Sequence, residues 1–476
     1  MWLKSFGLGI TQGWLWLFFL NGPLLHSATA KYGGNPETLF ITFLLFNSIS
    51  YLLIAKFSKN ASPFRQKLLF TILSVALMTA GTLVTGFMPK DNPVFSANLL
   101  ITLGILMSGF GSAMLISAWG EQYCTLQANQ ASLAFGIAVT VGTIIFFVIS
   151  ILPLPIAILI TAFIPLLSMI LLLLDAGTLT ETESTDPSRK TASFPFPTRL
   201  VVLVILFYLA GGLMYKLIAS GQQLGFYENF WLTNIVYFAV CLSAGGILYF
   251  KPSLDLRFIY LPILPLLGIG FVIFPVLHSF YPVVPFTFLQ TGFALFDLYT
   301  WIIFVYLASR HRFPLSVIAW GMFLITSTIM TGEFLFTRIF SEIIISMNET
   351  ALISLLATLL MFIGTVVFRG EPETFAGWHS PSEPIKPNQD ETNLSGLEMA
   401  CSINYETNYS SQFALQYKLT PREKQILELL LEGRNNPYIR ESLNISNNTL
   451  KTHLRNVYRK LSINDRQELL DLYGEF

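Results

Sequence analysis

From Phe6 to Phe368 the chain alternates long apolar runs with short polar joints, and after Gly370 it changes to a mixture in which no run is long enough to cross a bilayer. A helix needs about 20 apolar residues to span roughly 30 Å of hydrocarbon, where no water satisfies the backbone. Segments of that kind are predicted at Phe6–His26, Glu37–Phe57, Gln66–Met88, Val94–Gly120, Ala131–Leu152, Leu154–Leu174, Arg199–Ala219, Phe230–Phe250, Arg257–Leu277, Tyr281–Leu307, Pro314–Thr337 and Ile345–Phe368, twelve in all. The first, with Lys4 ahead of it and Ala28-Thr29-Ala30 behind, has the outline of a secretory signal, but it completes a regular set and reads as a retained span. Asp175 to Thr198, rich in Thr, Ser and Glu, divides the set into two groups of six. The expected fold is all-α. Its parts are a first membrane half (1–174), a central linker (175–198), a second membrane half (199–369), a flexible linker (370–418) and a C-terminal domain (419–476).

The last two parts have their own pattern. Gly370 to Lys418, with Pro372, Pro381, Pro384 and Pro387, reads as a flexible tether. At about 48 residues it would reach roughly 35–40 Å. Thr420, Pro421 and Glu423 form a capping-box start for a helix whose apolar stripe is Ile426, Leu427, Leu430 and Leu431, closed by Gly433. Asn435 or Asn436 caps a short second helix opened by Pro437, and the turn Asn444-Ile445-Ser446-Asn447 leads into a third. There Leu450, Leu454, Val457 and Leu461, spaced four, three and four, make one buried stripe, leaving Lys451, Thr452, Arg455, Asn456 and Arg459 on the other face. A greasy back and a basic, amide-bearing front suit the major groove of double-stranded DNA and its phosphate walls.

Composition sharpens this division. Of the 476 residues 53% are hydrophobic and only 12% charged, against about 25% charged in an ordinary globular protein. The zero net charge averages a nearly uncharged membrane part with an ordinarily polar tail. Lys4, Lys56, Lys59, Arg65, Lys67, Arg189, Lys190, Arg199, Lys251, Arg257, Arg310, Arg312 and Arg369 fall on one side of the alternating spans, and little beyond Lys31, Lys90 and Arg338 on the other. By the positive-inside rule the first side is cytoplasmic, so both termini are expected in the cytoplasm and the tail domain beside the nucleic acid. Cys124, Cys241 and Cys401 show neither a disulfide framework nor a zinc spacing, so no metal site is expected.

Two families are similar to the two parts. Leu419 to Phe476, with "LTPREKQILELLLEG", "ISNNTLKTHLRNVYRKL" and the trailing "DRQELL", resembles the LuxR-type (GerE-like) helix-turn-helix over its four-helix length. That resemblance implies base-edge contact by Lys451, Thr452 and Arg455, phosphate contact by Thr449 and His453 with help from Arg434 and Asn435, and pairing of two copies through Leu469, Leu472 and Tyr473. Pro437 and Tyr438 replace the family's usual polar pair, and Leu450 stands where a β-branched residue is common. Six plus six spans around a cytoplasmic linker resemble the major facilitator superfamily, whose halves are related repeats around a midplane site. Its loop pattern survives only as a remnant in "KFSKNASPFRQK", without Asp or Gly, and in "KPSLDLRF", without Gly, which counts against transport by alternating access.

Ionisable groups within spans are the candidates for ligand contact: Lys216, Asp297 and Glu333 first, then His26, Glu121 with Gln122, and Arg338. Lys216 can pair across a cavity with Asp297 or with Glu333, either as a structural ion pair or at a ligand. Trp119, Trp231 and Trp301 read as interfacial anchors. Gly211-Gly212, Gly245-Gly246 and Gly109 to Ala113 allow helices to approach closely. No GxxxxGK loop, HExxH or GxSxG occurs, so neither an enzyme nor a cofactor is expected. The function expected is a transcription regulator in the bacterial inner membrane, its spans sensing a small molecule and its tail reading DNA as a homodimer. The alternative is a secondary transporter carrying a tethered regulator.

Overall fold

The computed structural model describes residues 1–18, 36–58, 68–87, 94–176, 196–222, 227–252, 254, 256–277, 280–281, 283–335, 349–367, 417, 419–431, 440, 443, 447–461 and 468–469. They form two compact units, Met1–Ser382 and Glu383–Phe476.

The first unit is helical throughout its described residues. Its helices are α1 (Trp2–Phe18), α2 (Pro36–Phe57), α3 (Leu68–Gly86), α4 (Val94–Tyr123), α5 (Ala128–Ser150), α6 (Leu154–Ala176), α7 (Thr198–Gln222), α8 (Tyr227–Phe250), the single turn α9 (Arg257–Tyr260), α10 (Ile263–Leu277), α11 (Val283–Ser309), α12 (Pro314–Phe334) and α13 (Glu349–Val367). Among the described residues eight segments are long and apolar enough to cross a membrane, and Thr198–Leu213, Asn234–Phe250 and Ala351–Gly364 are shorter apolar helices. The expected ninth span, Arg257–Leu277, is among the eight as Phe258–Leu277, with a break between α9 and α10 inside it. Pro262 explains the break, because it has no N–H and its ring crowds the carbonyl four residues back. The outer face carries exposed Leu69, Ile72, Phe163, Leu167, Val272 and Leu355. Water does not tolerate so broad an apolar belt, whereas lipid does.

Helix pairing repeats. In the first half α1 packs on α5 and α6, α2 on α4, and α3 on α4 and α6. In the second half α7 packs on α12 and α13, α8 on α11, and α10 on α11 and α13, the same scheme shifted along the chain. The halves meet along two seams, α5 against α8 and α2 against α12. In the first seam a Cβ on Gly136 would lie 2.6 Å from the Cys241 carbonyl oxygen, and one on Gly245 would lie 2.5 Å from that of Ser132, so backbone touches backbone. The second seam is laced by hydroxyls: Ser48 Oγ donates to Thr326 Oγ1 at 2.9 Å and Ser316 Oγ to the Ala55 carbonyl at 2.6 Å. At the end of the bundle that holds Lys4, its ammonium pairs with Asp175 at 2.5 Å, both side chains almost fully buried.

The second unit contains α14 (Pro421–Leu431) and α15 (Asn447–Leu461), which pack together. Ile426, Leu427 and Leu430 of α14 and Leu450, Val457 and Leu461 of α15 build its core, with Leu454 partly buried against it. The expected capping box is present: Thr420 N–H donates to Glu423 Oε2 at 2.8 Å, and Glu423 N–H donates to Thr420 Oγ1 at 3.3 Å. Gly433, the second helix and most of the fourth lie outside the described residues.

Candidate functional site

A cavity of about 260 Å³ lies inside the first unit between its two halves. Four helices supply most of its chemistry. Gln290, Phe293, Asp297 and Trp301 enter from α11, spaced three, four and four, so one face of that helix lines the wall. Asn234 and Tyr237 come from α8 and Tyr208 from α7, while α1 contributes Gln12 and Trp16 from the other half. Phe135 and Phe146 of α5 and Met322 and Ile329 of α12 complete the apolar surface.

Asp297 is the one charged side chain among the described residues lining this cavity. Tyr208 Oη donates to its Oδ1 at 2.7 Å and Tyr237 Oη to its Oδ2 at 2.5 Å. The carboxyl group therefore ties α7, α8 and α11 together, and the Tyr237 ring stands edge-on to Trp16 across the half-to-half boundary, with centroids 6.4 Å apart. Among the described residues Gln12 Oε1 and Trp301 Nε1 are buried without a hydrogen-bond partner. Buried polar atoms are normally satisfied, and both of these belong to residues that line the cavity.

The other sequence candidates are distributed differently. Glu333 is buried on α12, and a Cβ on Gly212 of α7 would lie 3.0 Å from its backbone nitrogen, so the two helices touch there. Glu333 is not among the described lining residues. Lys216 lies one turn beyond Gly212, its side chain outside the described residues, as are those of His26, Arg338 and Trp231. Gln122 is fully buried near the end of α4, and Glu121 beside it is half-buried. Trp119 and Trp301 are not interfacial anchors. Trp119 is fully buried, lies over Gly7, and donates its Nε1–H to Ser168 Oγ at 2.9 Å. Trp301 stacks on Phe135 and stands edge-on to Tyr123, with centroids 5.6 and 5.5 Å away, and so floors the cavity at its Lys4 end. The bare backbone at Gly7 makes the room that the Trp119 ring occupies.

In the second unit, Thr452, Arg455 and Arg459, spaced three and four, make one exposed ridge on α15, with Thr449 exposed a turn earlier and His453 half-buried at its flank. The side chain of Lys451 lies outside the described residues, as do Arg434, Asn435, Leu472 and Tyr473. Leu469 is fully buried in the domain's own core. Two basic residues that add to the sequence's positive balance are engaged internally. Lys460 Nζ pairs with Glu423 Oε2 at 2.7 Å, and Arg422 donates to the Leu443 carbonyl and, at 2.8 Å, to Gln425. Burial raises the Glu423 pKa, but the Lys460 ammonium and the Thr420 hydrogen bonds outweigh it, so the carboxyl sits below its ordinary value.

The fold of the first unit is that of the major facilitator proteins. It superposes on the major facilitator proton:xylose symporter XylE bound to 6-bromo-6-deoxy-D-glucose, with a TM-score of 0.57 at 12% identity, over 78% of this chain and 95% of the other. The human organic anion transporter MFSD10 gives a TM-score of 0.54 at 13% identity, over 76% and 98% of the two chains. Residues 417–473 match the family described as bacterial regulatory proteins, luxR family. The HTH-type transcriptional regulator MalT of Vibrio campbellii is 44% identical over 52 residues, which are 11% of this chain and 6% of MalT. The CsgBAC operon transcriptional regulatory protein of Escherichia coli K12 is 43% identical over 75 residues, 16% of this chain and 33% of the other. The chain spans only about a third or less of the length of these curated relatives. A polytopic membrane bundle and a LuxR-type helix-turn-helix thus occur on one polypeptide.

Proposed function

We propose that this protein is a one-component transcription regulator embedded in the bacterial inner membrane, in which twelve spans sense a small molecule and control DNA binding by the C-terminal domain. The carrying observation is that a single chain joins a ligand-sized cavity, lined from both halves of a facilitator-type bundle, to a LuxR-type domain. The matching pairing schemes of the two halves support a six-plus-six repeat, and the basic loops support cytoplasmic termini. Lys451, Thr452 and Arg455 read base edges, Thr449, His453, Arg434 and Asn435 hold phosphates, and two copies pair on DNA through Leu472 and Tyr473; Leu469, expected to join them, is buried in the domain's own core. Regulation requires the ligand to bind two states of the bundle unequally. In a promoter reporter, Lys451→Ala combined with Arg455→Ala abolishes regulation while membrane insertion stays intact; a double variant that still controls its promoter ends this reading.

A second reading, a working transporter that reports flux, draws on the acidic group in the cavity wall. It requires solute uptake into proteoliposomes that is lost in Asp297→Asn. Absence of uptake for every compound that shifts the protein's melting temperature ends it.

A further inference from the structure

We infer that the cavity takes a small organic monocation with an aromatic or compact apolar body, its positive centre seated on Asp297. This assignment rests on the sensor reading above and names the ligand class of that same site.

The argument begins with charge. A carboxylate in the wall of an apolar cavity is expensive unless it is both hydrogen-bonded and offset by a positive charge. Tyr208 and Tyr237 meet the first need, one on each oxygen, but neither carries charge. Each carboxylate oxygen has a second lone pair, so the two phenols leave acceptor capacity on the group. No cationic side chain is found among the described residues of the wall. A bound ammonium offsets the charge, a neutral compound leaves it bare, and an anion is repelled.

The walls fit the same ligand. Trp16, Tyr208, Tyr237, Phe293 and Trp301 offer ring faces and edges around the acid. Aromatic faces attract a desolvated cation by about 0.5 to 2 kcal/mol each, which is how quaternary ammonium groups are commonly held. The volume of about 260 Å³ is at the small end of ligand sites, which suits a compact ion rather than an extended or polymeric one. Two further groups supply direction. Gln12, a lining residue, carries a buried Oε1 without a partner, an acceptor that an ammonium N–H would suit once the side chain turns toward it. Trp301, a lining residue one turn of α11 beyond Asp297, carries a buried Nε1–H without a partner, a donor that an acceptor atom on the ligand's body would suit.

The test uses the full-length protein in nanodiscs, titrated with benzylamine, benzyltrimethylammonium, benzyl alcohol and phenylacetate while tryptophan fluorescence and calorimetric heat are followed. At least one of the two cations is expected to bind saturably and about tenfold or more tighter than the alcohol or the phenylacetate. Asp297→Asn is expected to erase that preference and Asp297→Glu to keep it. The charge preference of the unmodified protein is decisive by itself, so a poorly folded variant does not blunt the test. Equal or tighter binding of the alcohol or the anion, no saturable binding of either cation, or unchanged cation binding in a folded Asp297→Asn protein overturns the assignment. A promoter reporter run in parallel separates the two proposals. Cation binding without any reporter response supports this site and removes the sensor reading. A reporter response to some other compound, with no cation binding, removes this site and leaves the sensor standing.

Discussion

Glu423 holds three partners at once: the Thr420 amide, the Thr420 hydroxyl through its own backbone N–H, and the Lys460 ammonium on α15. Because its folded pKa lies below the ordinary value of about 4.3, the unfolded chain binds more protons as pH falls through that region. Its contribution is therefore complete above about pH 4.3 and lost as pH falls through the folded value. Urea titrations of the C-terminal unit between pH 6 and pH 3 are expected to show this loss, and Glu423→Gln to flatten it. The capping box was legible in the spacing of Thr420 and Glu423, whereas the Lys460 pairing was not, because a basic residue on a basic helix gives no sign of which way it points. The Lys4–Asp175 pair behaves differently, since both charges are buried. Lys4→Met removes one partner of this buried ion pair and is expected to destabilise the bundle by up to roughly 3–5 kcal/mol, read as a lower unfolding midpoint in detergent. A Lys4→Met, Asp175→Leu double variant recovers most of that loss.

At the scale of elements, apolar run length gave away the membrane helices, while their breaks and faces depended on detail. Pro262 ends α9, a consequence that the length of the apolar run concealed. The stripe Leu450, Leu454, Val457 and Leu461 was readable because a soluble domain has water on one side and a core on the other. No such contrast exists on α11, where lipid, neighbours and cavity all accept apolar side chains. Only the spacing Gln290, Phe293, Asp297, Trp301 hints at a common face, and it becomes visible once Asp297 is taken as the reference point. Tyr208 and Tyr237, the partners of that acid, had no local signal at all, because they belong to other helices. The close approach of α5 and α8 yields its own prediction. Gly136→Val places a side chain where the Cys241 carbonyl already lies, so the seam opens, and the expected result is a folded protein less stable by about 1–3 kcal/mol. Gly246→Ala, at a position with nothing within 4 Å, serves as the control and is expected to be neutral.

For the molecule as a whole, the division into an apolar bundle and a polar tail was plain from composition, while the DNA-reading role of the tail came from its helix pattern and LuxR-type motif, with which the match at 417–473 agrees. The cavity could not be read in the same way, since its lining is drawn from helices far apart in sequence and looks like packing until the fold assembles it. The coupling of the two units is tested by exchange. Replacing residues 1–368 with an unrelated membrane anchor is expected to leave promoter occupancy in place and to remove its response to any compound, as measured by chromatin occupancy with and without inducer. The α5–α8 seam adds a mechanical consequence. At α5–α8 main chain lies directly on main chain and one hydroxyl, Ser132 Oγ, donates to the Gly245 carbonyl at 3.2 Å, whereas α2–α12 is joined by the hydroxyls of Ser48 and Ser316. Parting the halves therefore costs hydrogen bonds at both boundaries, and at α5–α8 it costs the main-chain contact as well.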